Sequence, residues 1–411
     1  MKVLLINNLH RKRGGADVVY FNTAKLLEAN GHEVCFFSIK TGDMESVGDT
    51  SLFAPSQDKE GFIGRVRDYC YNKSAATSIQ KVIDVYHPDI AHVHLIWGGL
   101  SPSILEVLQC NHIPVVHSVH DYRMICPAYT FRSIDGRICE KCKGGKYYKC
   151  VFKRCSKGSL AQSVLMAFEM YNRNRKYSPT NLIDGFVFVS EFARQKHLEF
   201  NSAFKHVPSI VLYNFWSGER PDFSTSVTKS DSYYLYYGRL SREKGIHTLF
   251  SAFSKRPDLL LKVVGDGPER EELVNYCQLN KVSNIEFLGY KTGNELFDIV
   301  SGARFVCVPS EWYENNPMTI IESYALGTPV IGAKIGGIPE IIEVGKTGYV
   351  FESGNVNELV DLLVKTSQIS NSEYDDMRKS VCAFAGQKFS KEEHLKELVA
   401  FYEMIIKNKV N

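Results

Sequence analysis

The sequence predicts an α/β protein made of two Rossmann-like, doubly wound parallel-sheet units, and three observations carry that prediction. Short apolar runs alternate with longer amphipathic ones through the first half, the pattern of parallel strands joined by crossover helices. The alternation pauses over a polar stretch at 214–231, NFWSGERPDFSTSVTKSD, and then begins afresh. The 411 residues are also enough for two domains at roughly 100–200 residues each.

In order, Val3–Ile6 reads as a buried strand, followed by a helix over Ala16–Ala29 that Gly31 stops. Strands follow at Glu33–Ser38, Asp89–Leu95 and Val115–His120, with a helix over Pro102–Cys110 between the last two. Gly185–Val189 is the next strand and Glu191–Phe200 its helix. After the polar stretch, strands are expected at Tyr233–Tyr237, Leu260–Val264, Ile285–Phe287, Phe305–Val308 and Val330–Ala333. Helices are expected between them at Ile246–Phe253, Pro268–Asn280, Thr292–Val300 and Met318–Leu326, with closing helices over 356–370 and 391–408. The expected domains are 1–213, with a cysteine-rich insertion at 126–155, and 232–390 after a linker at 214–231. The segment 391–411 is expected to pack back on the first domain.

Composition bounds the function. Hydrophobic residues make up 44% and charged residues 23%, an ordinary globular balance. A net charge of +3 is too small to argue for nucleic acid. No run approaches the roughly 18 apolar residues of a spanning helix, and MKVLLINNLH lacks the form of a signal peptide. The expectation is a cytoplasmic protein whose 11 cysteines are mostly reduced.

Three loops carry chemistry. Gly14-Gly15-Ala16-Asp17 follows the first strand, where paired glycines and a helix N-terminus offer amides to an anion. The dinucleotide fingerprint spacing is absent. Gly238-Arg239-Leu240-Ser241-Arg242-Glu243-Lys244-Gly245 follows the strand YYLYY and can aim Arg239 and Lys244 at one diphosphate. The third is Glu314-Asn315-Asn316-Pro317-Met318-Thr319-Ile320-Ile321-Glu322, with glutamates eight residues apart. Pro317 sets a helix start, which puts Glu314 on the loop and Glu322 about one and a half turns in. Carboxylates there suit vicinal hydroxyls, and the amides of 316–319 suit further oxygens.

Together with Gly336-Gly337-Ile338-Pro339-Glu340, these motifs resemble glycosyltransferase family 4, from residue 1 to about 408 and in the expected order. The resemblance implies the GT-B architecture, with two Rossmann-like domains facing a central cleft, and transfer from a nucleotide sugar with retention at the anomeric carbon. It implies that Arg239 and Lys244 hold the donor diphosphate, that Glu314 contacts donor-sugar hydroxyls and that Glu322 contacts the ribose. The Gly14 and Gly15 amides would face the diphosphate, and His120 of the VHD triplet would lie near the reacting sugar. Gly265, Asn316, Pro317, Met318 and Thr319 complete the expected donor-binding set. Two departures stand out. Asp17 occupies a position where the family often has Glu, and Asn315-Asn316-Pro317 replaces a Gly-Phe-Gly or Gly-Phe-Pro stretch, which leaves the donor sugar open. No catalytic metal is expected, because no D-x-D pair stands in a suitable loop.

Cys139, Cys142, Cys150 and Cys155 have a spacing that a tetrahedral structural zinc accepts. Disulfides and simple thiols are the alternatives. From Lys141 to Lys176 there are ten Lys or Arg against one acid, Glu169. That stretch suits either a solvated face or peripheral contact with anionic membrane, at the inner face of the cytoplasmic membrane where a lipid-linked saccharide acceptor would be met. His92 and His94 read as strand-end packing and not as metal ligands. The expected partners are a nucleotide sugar (UDP- or GDP-linked) and a saccharide or lipid-linked acceptor, with no nucleic acid. The rival readings are a nucleotide-sugar epimerase, a phosphorylase and a non-catalytic nucleotide-sugar-binding module.

Overall fold

The computed structural model describes residues 1–56, 61–218 and 233–410. It divides the chain into two compact units, Met1–Tyr213 with Lys391–Asn411, and Asn214–Ser390. Most of the polar stretch at 214–231 lies outside the described residues.

The first unit runs β1 (Lys2–Leu9), α1 (Gly15–Ala29), β2 (Glu33–Ile39), α2 (Phe62–Cys70), α3 (Lys73–Tyr86), β3 (Ile90–Val93), α4 (Ser103–Cys110) and β4 (Val115–Val119). It continues with α5 (Tyr148–Phe152), α6 (Leu160–Lys176), α7 (Pro179–Leu182), β5 (Gly185–Phe188), α8 (Glu191–Phe200) and β6 (Ser209–Val211). Its six strands are parallel, in the order β2-β1-β3-β4-β5-β6. The strand order reverses between β1 and β3, and at such a switch point the loops leaving the carboxyl ends diverge to opposite faces and open a crevice.

The second unit runs β7 (Tyr233–Tyr237), α9 (Ile246–Ser254), β8 (Leu260–Val264), α10 (Arg270–Leu279), β9 (Ile285–Gly289), α11 (Gly293–Ser301) and β10 (Phe305–Val308). Then come α12 (Met318–Ala325), β11 (Val330–Ala333), β12 (Gly348–Phe351), α13 (Val356–Ser367) and α14 (Asn371–Lys388). Its sheet is again parallel, ordered β12-β11-β10-β7-β8-β9. The switch here lies between β7 and β10.

The final helix α15 (Lys391–Val410) belongs to the first unit. Leu398, Phe401, Tyr402 and Ile405 enter the core that Val3, Leu5, Val116 and Val187 supply from the sheet. Full burial of each such side chain is worth about 1.5–3 kcal/mol, enough to fix the helix there. The second core is built on Tyr234, Leu249, Phe250, Phe305, Leu359 and Leu363. Among the described residues, no helix is long and apolar enough to cross a membrane.

Candidate active site

In the second unit the site grows from the switch between β7 and β10. All five residues of β7 are buried, so the strand can only end where the polar sequence begins, at Gly238. The loop beyond is pinned by its backbone. Gly238 N donates to Val264 O at 3.0 Å, Leu240 N to Asp266 O at 2.9 Å, and the Tyr236 hydroxyl to Arg239 O at 2.8 Å. Leu240 is buried as an anchor. Gly265, with φ +129, lies so close to Gly238 that a Cβ on it would stand 2.0 Å from Gly238 O, so the two backbones pack only because Gly265 lacks a side chain. The Arg239 side chain is exposed, with no ion-pair partner among the described residues.

A single 3-10 turn, Arg242–Lys244, carries Lys244 back toward β10. Its Nζ lies 2.6 Å from Glu314 Oε1, which also accepts the Ser310 hydroxyl at 2.9 Å. The ammonium sits 5.3 Å from the Trp312 ring centroid. Burial alone would raise the Glu314 carboxyl, but the Lys244 charge and the hydrogen bonds from Lys244 and Ser310 hold it below the usual range. Glu314 is therefore a fixed carboxylate. Its carbonyl accepts Gly337 N at 2.7 Å, and Gly336, with φ +60, leaves no room for a Cβ, which would stand 2.2 Å from Glu314 O.

Pro317 caps α12 with an extended backbone. The Met318 and Thr319 amides that follow carry no hydrogen bond within the described chain, as expected of a helix start. Asn316 is buried. Its Oδ1 accepts Asn214 N at 2.8 Å and its carbonyl accepts Asn214 Nδ2 at 3.1 Å, while its own Nδ2 has no partner. Thr319 O accepts the Tyr237 hydroxyl at 2.7 Å. Burial pushes the Glu322 carboxyl up to about 7, with a Tyr237 hydrogen bond working the other way. Arg239, Lys244, Glu314, Asn316, Pro317, Met318, Thr319, Glu322 and Gly265 thus all lie on segments leaving β7, β8 and β10.

In the first unit the glycine loop differs from the expectation. Gly14 caps α1, but its amide donates to Asp17 Oδ2 at 3.2 Å, as does Arg13 N, while Asn7 Nδ2 holds Asp17 Oδ1 at 2.9 Å. The short Asp side chain folds back on its own helix start and occupies the Gly14 amide expected to meet a phosphate. Gly15 and Ala16 keep amides with no bond to the described chain.

His120 follows β4. Its Nε2 lies 2.9 Å from His94 Nδ1, with the rings stacked at 12°. Burial lowers His120 to about 4 and lowers His94 well below the ordinary range, helped by neighbouring His92 and His120, so both rings are neutral and one proton lies between the facing nitrogens. His92 is fully used by structure, between Ser118 Oγ at 2.8 Å and the Tyr402 hydroxyl at 2.5 Å, as packing required. Asp121 accepts Arg123 N at 2.8 Å. Sequence reasoning missed His94 as a partner of His120, as well as Ser310 and Trp312 around Glu314. The available signals were two histidines at the ends of adjacent parallel strands, and a serine and a tryptophan within four residues of Glu314.

No three of the Cys139, Cys142, Cys150 and Cys155 sulfurs lie within 4.8 Å of one another. The set of metal-ligating type found among the described residues is instead His247, Glu269 and Glu272. The insertion packs on a helix that lies beyond its own bounds. Helix α6 lies against α5, and Cys142, Cys150, Tyr147, Ala167 and Met170 form a small apolar cluster. Cys150 and Cys155 share a hydrogen bond, which raises Cys150 and lowers Cys155.

Comparison with known proteins adds to this geometry. Residues 13–215 match the model described as Glycosyltransferase Family 4, and residues 219–380 match that described as Glycosyl transferases group 1. An uncharacterized 42.6 kDa protein in the cps region of Klebsiella pneumoniae is 24% identical over 372 residues, 86% of this chain and 90% of that protein. An uncharacterized glycosyltransferase of Methanocaldococcus jannaschii is 30% identical over 53% of this chain and 57% of its own length. The N-acetyl-alpha-D-glucosaminyl L-malate synthase of Bacillus anthracis is 27% identical over 45% of this chain and 49% of its own. Among solved structures, sucrose-phosphate synthase from Thermosynechococcus elongatus superposes with TM-score 0.70 at 17% identity, covering 99% of both chains. HepE of Anabaena in complex with UDP does so with TM-score 0.63 at 17% identity, covering 98% of this chain and 100% of its own.

Proposed function

Because the chain belongs to the family 4, group 1 glycosyltransferases and is a transferase of the GT-B fold, we propose that it moves a sugar, with retention at the anomeric carbon, from a UDP- or GDP-linked donor to a saccharide or lipid-linked saccharide. The observation that carries this reading is the Lys244–Glu314 contact at the switch point, with the Arg239 cation exposed beside it on the same short loop. Uracil nucleotides are the first donors to try, since HepE was solved with UDP and UDP-glucose.

In this reading the donor diphosphate takes Arg239, Lys244 and the opening amides of α12, at Met318 and Thr319. Glu314, relieved of part of its hold on Lys244, accepts hydroxyls of the donor sugar. Glu322 accepts the ribose hydroxyls, and His120 and the Gly15 amide serve the sugar end. As the bond from C1 to the phosphate oxygen breaks, negative charge grows on the leaving phosphate. Preorganised cations and amides meet that charge where it develops, and so stabilise the transition state more than the ground state. The acceptor oxygen bonds to C1 on the face the phosphate leaves, and the acceptor proton passes to the departing phosphate oxygen.

A thermal-shift panel of nucleoside diphosphates and their sugars tests the donor assignment, with stabilisation by at least one of them expected. Proton NMR of the product formed from an α-linked donor tests the stereochemistry. An α-anomer is expected, and a β-anomer would overturn retention.

A further inference from the structure

The α5–α6 hairpin has two faces of opposite character. Its inner face is tied to the loops at the carboxyl end of the first sheet. Arg173 of α6 is 1% exposed, pairs with Glu169 at 2.9 Å, lies 4.3 Å from the Trp97 ring and donates to Arg123 O at 2.8 Å. Its outer face is apolar and open. Leu160, Val164, Phe168 and Tyr171 are 51%, 48%, 60% and 43% exposed, and their spacing of four, four and three lines them along one stripe of the helix. Helix α5 extends that stripe with Tyr148, 48% exposed, and Phe152, 82% exposed. The two helices join where Tyr148 N donates to the Tyr171 hydroxyl at 3.2 Å.

The charges around this stripe have one sign. Lys146, Lys149, Lys153, Arg154 and Lys157 border it and have no ion-pair partner among the described residues. The one acid between Lys141 and Lys176, Glu169, is buried against Arg173. Within this stretch, among the described residues, no acid is exposed beside those cations.

We infer that the outer face of the α5–α6 hairpin docks on an anionic lipid surface, with the Phe152–Phe168 stripe entering the headgroup region and the surrounding lysines meeting lipid phosphates. An apolar stripe flanked by cations is what an interfacial helix needs. Phe152, at 82% exposure, projects from the surface, which suits insertion between headgroups. The inner face of the same hairpin holds the Trp97 and Arg123 loops, so docking would bring the carboxyl end of the first sheet close to a lipid-linked acceptor. The docking itself does not depend on the proposed transfer, and its test reads no turnover.

The experiment is flotation of the full chain with phosphatidylglycerol-rich vesicles and with pure phosphatidylcholine vesicles. Partition onto the anionic vesicles alone is expected, weakening as salt rises. Phe152→Ser with Phe168→Ser should lower partition by about tenfold or more. Lys146→Gln, Lys153→Gln and Lys157→Gln together should lower it by about a hundredfold, at roughly fivefold per cation. All five positions are exposed, so circular dichroism and Tm should match the unmodified chain. Failure of the unmodified chain to float, or flotation unchanged in both variants, would overturn the proposal. So would sedimentation velocity showing self-association without lipid that Phe152→Ser with Phe168→Ser abolishes, because the stripe would then be a contact between copies.

Discussion

Lys244, on the loop after β7, reaches the loop after β10 and sets its Nζ 2.6 Å from Glu314 Oε1. The contact joins the two segments that flank the switch point of the second sheet and makes the Glu314 carboxylate permanent. Lys244→Ala should cut turnover by about a hundred- to a thousandfold, the usual cost of one preorganised donor. It should also cost about 1–3 kcal/mol of stability by leaving a buried acceptor short of a partner. Adding Glu314→Gln should recover much of the stability and none of the turnover. Urea denaturation beside initial rates checks both halves.

Gly336 packs against the backbone of Glu314, with φ +60 and no space for a Cβ beside Glu314 O. Gly336→Ala should destabilise the second unit by about 1–3 kcal/mol through strain and displacement. Turnover should fall more than nucleotide affinity does, because the shift falls on Glu314 and spares the Arg239 loop. Calorimetric titration with nucleoside diphosphate beside initial rates separates the two.

The two units should respond to pH in opposite senses. Burial raises Glu322 to about 7. That contribution to stability is full below the ordinary carboxylate range and is lost as pH rises through about 7. Glu322→Gln should therefore stabilise the chain at pH 8 and lose that advantage by about pH 4.5. In the first unit burial lowers His120, His197 and His394 to about 4 and His92 to about 3. Their contribution is full above about 6.5 and is lost as pH falls toward 4. Tm measured from pH 4 to 8 for the parent and for Glu322→Gln, together with histidine titration by NMR, follows both trends.

The pair Arg173–Glu169 is buried, with side chains 1% and 8% exposed. Arg173→Met should cost about 3–5 kcal/mol, since it strands Glu169 away from water. Glu169→Gln should cost less, because the amide can still accept a hydrogen bond from Arg173. The midpoint of urea denaturation for each variant reads the difference.

The sheets were legible because β1, β4, β7 and β10 are short apolar runs with polar punctuation at both ends, and parallel strands buried on both faces leave that signature. Helices α2 and α3 were not singled out. In α3 the buried positions include Ala75 beside Ile79, Val82 and Ile83, so small residues thin the apolar stripe. Helix α14 has a polar sequence and enters the core through Tyr374, Met377 and Val381, contacts that only tertiary packing reveals. At the site, the placement of Glu314 and Lys244 on loops that follow strands was legible, but their direct contact depended on the strand order and on the 3-10 turn at Arg242–Lys244. The occupied Gly14 amide could not be read from spacing, because it depends on how far the Asp17 side chain folds back. The packing around the cysteines was hidden for a related reason. Their spacing suited a metal, while the core of the insertion came from α6, which the sequence showed only as an apolar run.

The most direct test of the account is release of nucleoside diphosphate from a panel of UDP- and GDP-sugars by the unmodified chain and by Arg239→Ala, Lys244→Ala and Glu314→Ala. The account predicts release from at least one donor, stimulated by a saccharide acceptor and reduced about a hundredfold or more in each variant. Release that persists at the parent rate in all three variants, or a parent chain that neither binds nor cleaves any donor, would contradict it.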